Sequence, residues 1–187
     1  MIGSRETHVR QKPLINYATI QDFCALFAQH VDELYRLSFL LTAGHQKAKE
    51  CFVAGLEDSK KENHVFREWA RSWAKRAIIQ NAIRRIRPRP HIPSFRLALP
   101  SYVVAPPSDQ DRHFDADAIL ALEDFERFVF VMSVLEPYSE HECSLLLGCS
   151  PRQVREAQGR AFTLLRNSAS SAFPRRETVE STHELVG

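Results

Sequence analysis

Six prolines fall between positions 88 and 107: Pro88, Pro90, Pro93, Pro100, Pro106 and Pro107. Proline fixes φ and carries no N–H, so no helix runs through such a stretch. The prolines cut a chain of 187 residues into two helix-patterned halves. Each half must bury a modest core of its own. "FRLALPSYVVA" within the stretch is apolar enough to lie on a surface, but its pattern imposes no strand.

Before the prolines, Phe23, Phe27, Val31, Leu34, Leu37 and Leu41 recur at spacings of three and four. This predicts one helix over 20–41, stopped by Thr42-Ala43-Gly44. A second helix is expected over 46–56, with Ala48, Phe52 and Val53 inward. The polar run EDSKKENH would follow as a loop. A third helix is expected over 65–86, with Phe66, Trp69, Trp73, Ala77, Ile78 (or Ala74) and Ile83 on one stripe. As core anchors, Trp69 and Trp73 need no further role.

Beyond the prolines, "FERFVFVMSVL" reads as a strongly apolar helix and "SEHECSLLLG" as a short one. Ser139, three residues before Glu142, is placed for a capping box. Gly148 ends the short helix, and Ser150-Pro151 starts the last one, expected to reach about residue 166. The fold class is therefore all-α. The divisions are a loose tail over 1–16, a helical domain over 17–88, a linker over 89–116, a second helical domain over 117–168 and a polar tail over 169–187.

The corner "LLLGCSPRQVREAQGRA" has the sequence form of a helix-turn-helix. A glycine-closed turn this short makes the helices cross steeply. The outer face of the second helix carries Arg152, Gln153, Arg155, Glu156 and Arg160, which include the side-chain types that suit base edges and phosphates. In the other half, ten basic residues stand between Lys60 and Arg89 against Glu62 and Glu68 alone. Lys75, Arg76, Arg84 and Arg85 belong to this run, which could bind a polyanion or form a solvated helix face. The overall net charge is only +2. The segment 117–166 holds eight acids against five arginines, weak electrostatics for a lone DNA-binding domain.

Enzymatic motifs are missing. The sequence has no glycine-rich phosphate loop, no nucleophile elbow and no paired carboxylates in an apolar setting. The expectation is a protein with no catalytic residues and no cofactor. Cys24, Cys51, Cys143 and Cys149 form no C-x-x-C pair, and His141, Cys143 and Cys149 match no zinc spacing, so no metal is expected. Cys24, Cys51 and Cys143 read as buried thiols. A polar N-terminus and the lack of a roughly 20-residue apolar run point to a cytoplasmic chain without a membrane span.

Taken in order, these segments resemble the extracytoplasmic-function (ECF) sigma factors of RNA polymerase. The ungapped stretch LEDFERFVFVMSVLEPYSEHECSLLLGCSPRQVREAQGRA resembles their C-terminal promoter-reading domain. "ELYRLSFLLTAG" looks like their first core helix, and "FREWARSWAKRAIIQNAIRRIRP" like their long helix. The resemblance covers about residues 20–88 and 117–166. It implies RNA polymerase core and promoter DNA as partners, and an anti-sigma protein as a further one. It also implies that the helix with Trp69, Trp73, Lys75, Arg76, Arg84 and Arg85 meets melted DNA. The polymerase would be met by "KAKECFVAGLE", through Lys47, Lys49, Glu50 and Val53. Lys47 and Lys49 stand where the family has acids, and Ala157-Gln158 where it has a basic residue and a leucine. These departures leave a second reading: a degenerate sigma-fold regulator that works through protein contacts without promoter recognition.

Overall fold

The computed structural model describes residues 16–61, 64–90 and 115–171. Expectations for 1–15, 91–114 and 172–187, including "FRLALPSYVVA", lie outside them. The described elements are helical, apart from one isolated bridge between Tyr17 and Phe66. The chain divides into two compact units, Met1–Arg85 and Ile86–Gly187.

In the first unit, α1 is Ile20–Gln29. Thr19 caps it, and Asp22 answers by accepting from the Thr19 N–H at 2.9 Å. The helix predicted over 20–41 is in fact two, because His30 leaves helical geometry (φ −114°, ψ 28°). α2, Val31–Thr42, restarts at once beyond it. Before the break Phe27 meets Phe52 edge-on at 5.2 Å, and just after it Val31 is exposed. Periodicity could not reveal this, since both stripes keep the same spacing on either side of His30. Ser38 and Thr42 are buried on α2, and each hydroxyl donates to the carbonyl four residues back. Ala43 closes the helix in the left-handed region (φ 49°).

α3 is His45–Lys61, one turn and more beyond the expected end. The first part of the run read as a loop, as far as Lys61, is helical: Lys60 pairs with Glu57 and Lys61 with Asp58 at i,i+3, while Ser59 is buried and donates to Gly55 O. Ala48 is inside as expected and Phe52 half so, but Val53 is 56% exposed. Gly55 lies against Ile78: a Cβ there would stand 2.6 Å from the Ile78 side chain.

The third helix starts later than predicted. Val65 and Phe66 are extended, held by Ala18 N–H donating to Val65 O at 2.7 Å and Arg67 N–H to Asn16 O at 2.9 Å. A 3-10 turn, Arg67–Trp69, leads into α4, Ala70–Ile86. The buried face of α4 is Ala70, Ala74, Ala77, Ile78, Ile79, Asn81 and Ala82. The stripe is thus corrected: Phe66 and Trp69 are exposed, and Trp73 and Ile83 are half-buried. Small alanines let α4 sit close to its neighbours, and the bulky rings are left at the edge.

In the second unit, Asp115 caps α5, Ala116–Leu120. α6, Asp124–Phe130, runs on into a π-helical turn, Val131–Leu135. Its residues from Phe125 to Met132 are all buried, Glu126 and Arg127 included. α7, Glu140–Leu147, has the expected Ser139–Glu142 capping box and ends at Gly148 with φ 64°. α8 is Pro151–Ser171, longer than predicted, and buries Val154, Ala157, Ala161 and Leu165. No helix among the described residues is long and apolar enough to cross a membrane.

Candidate nucleic-acid surfaces

The corner at Gly148 is built as a helix-turn-helix needs. Its left-handed φ suits glycine, and Cys149 N–H donates back to Ser144 O at 3.1 Å. Ser150 and Gln153 then form a reciprocal cap: the Gln153 N–H donates to Ser150 Oγ at 3.3 Å, and Gln153 Oε1 accepts from the Ser150 N–H at 2.9 Å. Gln153, expected on the outer face, is therefore committed to starting α8. The S-x-x-Q spelling carried this signal.

The three arginines differ in what holds them. Arg152 is 85% exposed and donates to Glu156, one turn on, at 2.8 Å. Arg155 reaches across to Glu140 on α7 at 2.7 Å. Both are surface pairs of the kind worth about 0–1 kcal/mol, so a phosphate could displace either acid. Arg160 is different. Its Nε and one terminal nitrogen donate to Glu126 Oε1 at 2.9 and 2.7 Å. Glu126 is buried, and its other oxygen has no partner among the described atoms. Releasing Arg160 to a phosphate would leave a buried bare carboxylate, which is costly. Arg160 is thus a core strut from α8 to α6, not the outer-face residue expected from the sequence. Gln158 faces inward too, donating to Ser133 in the π turn at 3.2 Å.

In the first unit, the basic run is largely folded onto acids. Arg67 pairs with Asp22, Arg71 and Lys75 with Glu33, Arg84 with Asp58, and Arg85 with Glu50. The hydrogen bond from Arg67, with those from Thr19, holds the Asp22 carboxyl at about 2 against an ordinary 3.8. Lys75 lowers the Glu33 carboxyl in the same way. Burial pushes Asp58 up, but hydrogen bonds from Asn81, Arg84 and Lys61 outweigh it and leave it lowered. Sequence order hides these acids because they lie 26 to 45 positions from their arginines.

A groove of about 240 Å³ opens along α4 and the end of α3. Trp73 forms one wall, with Arg76, Gln80, Arg84, Lys61 and Asp58 around it. Arg76 has no acidic partner among the described residues. The groove therefore offers an aromatic face, an amide and the Arg76 guanidinium, with Lys61 and Arg84 held on Asp58 beside them. Trp69 lies outside it, at the head of α4.

On α3, Lys47 and Lys49 are exposed and lack acidic partners among the described residues, and Val53 is exposed with them. Lys49 and Val53 share a face at i,i+4. Glu50 is held by Arg85 and by Gln46 Nε2 at 2.9 Å.

Cys51 and Cys143 are buried, but Cys24 is exposed on α1, contrary to the reading of it as a core thiol. Burial, then the nearby Glu142, pushes the Cys143 thiol up to about 11. Among the described residues no three His, Cys, Asp or Glu side chains gather as a metal site would require. No family model matches this chain, and no curated protein matches it.

Proposed function

We propose that this chain is an ECF sigma-like transcription initiation protein of the cytoplasm, a non-enzyme that binds RNA polymerase core and promoter DNA. The observation that carries the reading is the Trp73 groove. An aromatic wall beside the Arg76 guanidinium, which has no acidic partner among the described residues, is what an unstacked base and its phosphate need. The helix-turn-helix corner adds Arg152 and Arg155, exposed in the first turns of α8 where base edges are met. The sequence resemblance supplies the partner.

The locked Arg160 and the lysines on α3 favour a second reading, a sigma-fold regulator that binds a protein and reads no promoter. Like charges across an interface weaken docking, and Lys47 with Lys49 would reverse the sign of a surface the family uses for polymerase.

Co-purification with core RNA polymerase at low salt separates the two. The first reading expects a complex, strengthened by Lys47→Glu with Lys49→Glu. It also expects Arg76→Ala to weaken binding of fork-junction DNA more than of duplex. No polymerase complex and no preference for melted DNA would leave the regulator.

A further inference from the structure

We infer that the water-facing side of α1 is a self-association surface, on which a second copy of this chain docks by the same helix. The inference stands apart from the Trp73 groove and the corner at Gly148 and uses none of their residues.

α1 buries Phe23 and Phe27 on one side. Its single charge, Asp22, is turned onto Thr19 and Arg67. The exposed residues are Ile20, Gln21, Cys24, Ala25, Ala28 and Gln29, and none of them is charged. Every other α-helix exposes a charged residue, among them Asp32 and Arg36 on α2, Lys49 on α3 and Arg71 on α4. In a chain with 26% charged residues, a solvated helix does not need such a face. Loss of charge is the mark of the centre of an interface. Ile20, 57% exposed, begins the apolar part of the face, and Cys24 and Ala28 continue it at helical spacing.

The arrangement of the face chooses the occupant. Its residues fall into two rows at i,i+4 spacing, Ile20–Cys24–Ala28 and Gln21–Ala25–Gln29. Such rows are the ridges by which helices interlock, and small residues at their middle let two axes come close. Cys24 and Ala25 are those middle residues. Gln21 and Gln29 stand one turn and more to either side of Ala25. A two-fold axis beside Ala25 therefore sets Gln21 of one copy against Gln29 of the other. A carboxamide both donates and accepts, so each amide is satisfied by its counterpart, as an isologous contact requires. Any other helix face of a second copy would bring a charge against this one, and burying a charge unpaired is costly. Neutrality on both sides is met by α1 against α1. The helix is short, so the dimer is a weak one.

The test is sedimentation equilibrium of the reduced full chain from about 1 µM to about 500 µM, with an expected reversible dimer of Kd about 10–100 µM. Ala25→Arg sets like charges at the two-fold axis. It should weaken the dimer about tenfold or more and leave the melting temperature unchanged, because Ala25 is exposed. Gln21→Ala with Gln29→Ala should weaken it less, by the amides alone. A short bis-maleimide should join Cys24 to its copy in a Cys149→Ser background, and Ala25→Arg should abolish the product. A chain that stays monomeric over the whole range overturns the inference. So does a dimer that both sets of variants leave intact, since its interface then lies elsewhere. If the wild type is monomeric and Ala25→Arg instead weakens binding to core RNA polymerase, α1 serves a different protein and the inference is wrong. If Ala25→Arg does not fold, the glutamine variant carries the same comparison.

Discussion

Asp22 serves two partners at once, which makes it a measurable residue. It completes the cap of α1 through Thr19 and anchors Arg67 in the 3-10 turn that leads into α4. Its carboxyl titrates near 2 in the folded chain against 3.8 ordinarily, a depressed value. Its stabilising contribution is therefore fully present above about pH 4 and is lost as pH falls towards 2. Thermal melts from pH 7 to pH 2 should drop steeply in that window, and Asp22→Asn should flatten the drop. The slope that remains would belong to Glu33 and Asp58, also lowered. An unchanged acid profile in Asp22→Asn would show that Arg67 does not hold the carboxylate. Gly159 gives a second residue-scale test. It sits inside α8, and a Cβ there would meet nothing within 4 Å. Gly159→Ala should stabilise the second unit by about 1 kcal/mol in urea titration. A loss would mean that the glycine serves a contact beyond this chain's own atoms.

At the scale of elements, two close approaches set the packing. α3 and α4 touch through Gly55 and Ile78, so Gly55→Ala must push the helices apart or twist the isoleucine. The expected cost is about 1–3 kcal/mol in chemical denaturation, and Gly55→Ala with Ile78→Val should recover part of it. α6 and α8 are joined by Glu126 and Arg160. Arg160→Ala strands a buried carboxylate and should cost about 3 kcal/mol or more. Glu126→Gln with Arg160→Met should cost much less, because no charge is left behind. The sequence reading treated Arg160 as a phosphate contact, which forecasts weaker DNA binding and unaltered stability. Urea melts of the two variants decide between strut and contact. The capping box at Ser139 and the N-cap at Ser150 were read from the sequence because each is spelled within four residues, and the box at Thr19, spelled in the same way, was missed. The Arg160 strut was not, because Glu126 lies 34 positions away.

For the whole molecule, the first question is independence. Each unit has its own buried cluster, on Phe23, Leu34 and Ile78 in one and on Phe125, Phe128 and Val154 in the other. Chains of 1–90 and 115–187 expressed separately should each melt cooperatively, with far-ultraviolet helical signal; a fragment that stays unfolded alone would refute that independence. The sequence by itself determined that the described chain is helical and where several helices begin and end. Proline, glycine and capping residues act over one turn, and their effect is written beside them. It also placed Cys143, Ala48 and the outward Arg152 correctly. Only the tertiary structure decided the break at His30, the late start of α4 and the exposure of Trp69. Hydrophobic spacing reports that a residue is apolar and in phase, whereas burial depends on whether another element arrives to cover it. It decided the charge pattern in the same way. Ten basic residues in one stretch look like a field until folding brings Asp22, Glu33, Glu50 and Asp58 against them. Linear order fixes how many charges the chain has, and the fold fixes which of them remain free to act on a partner, because electrostatic pairing depends on distance in space.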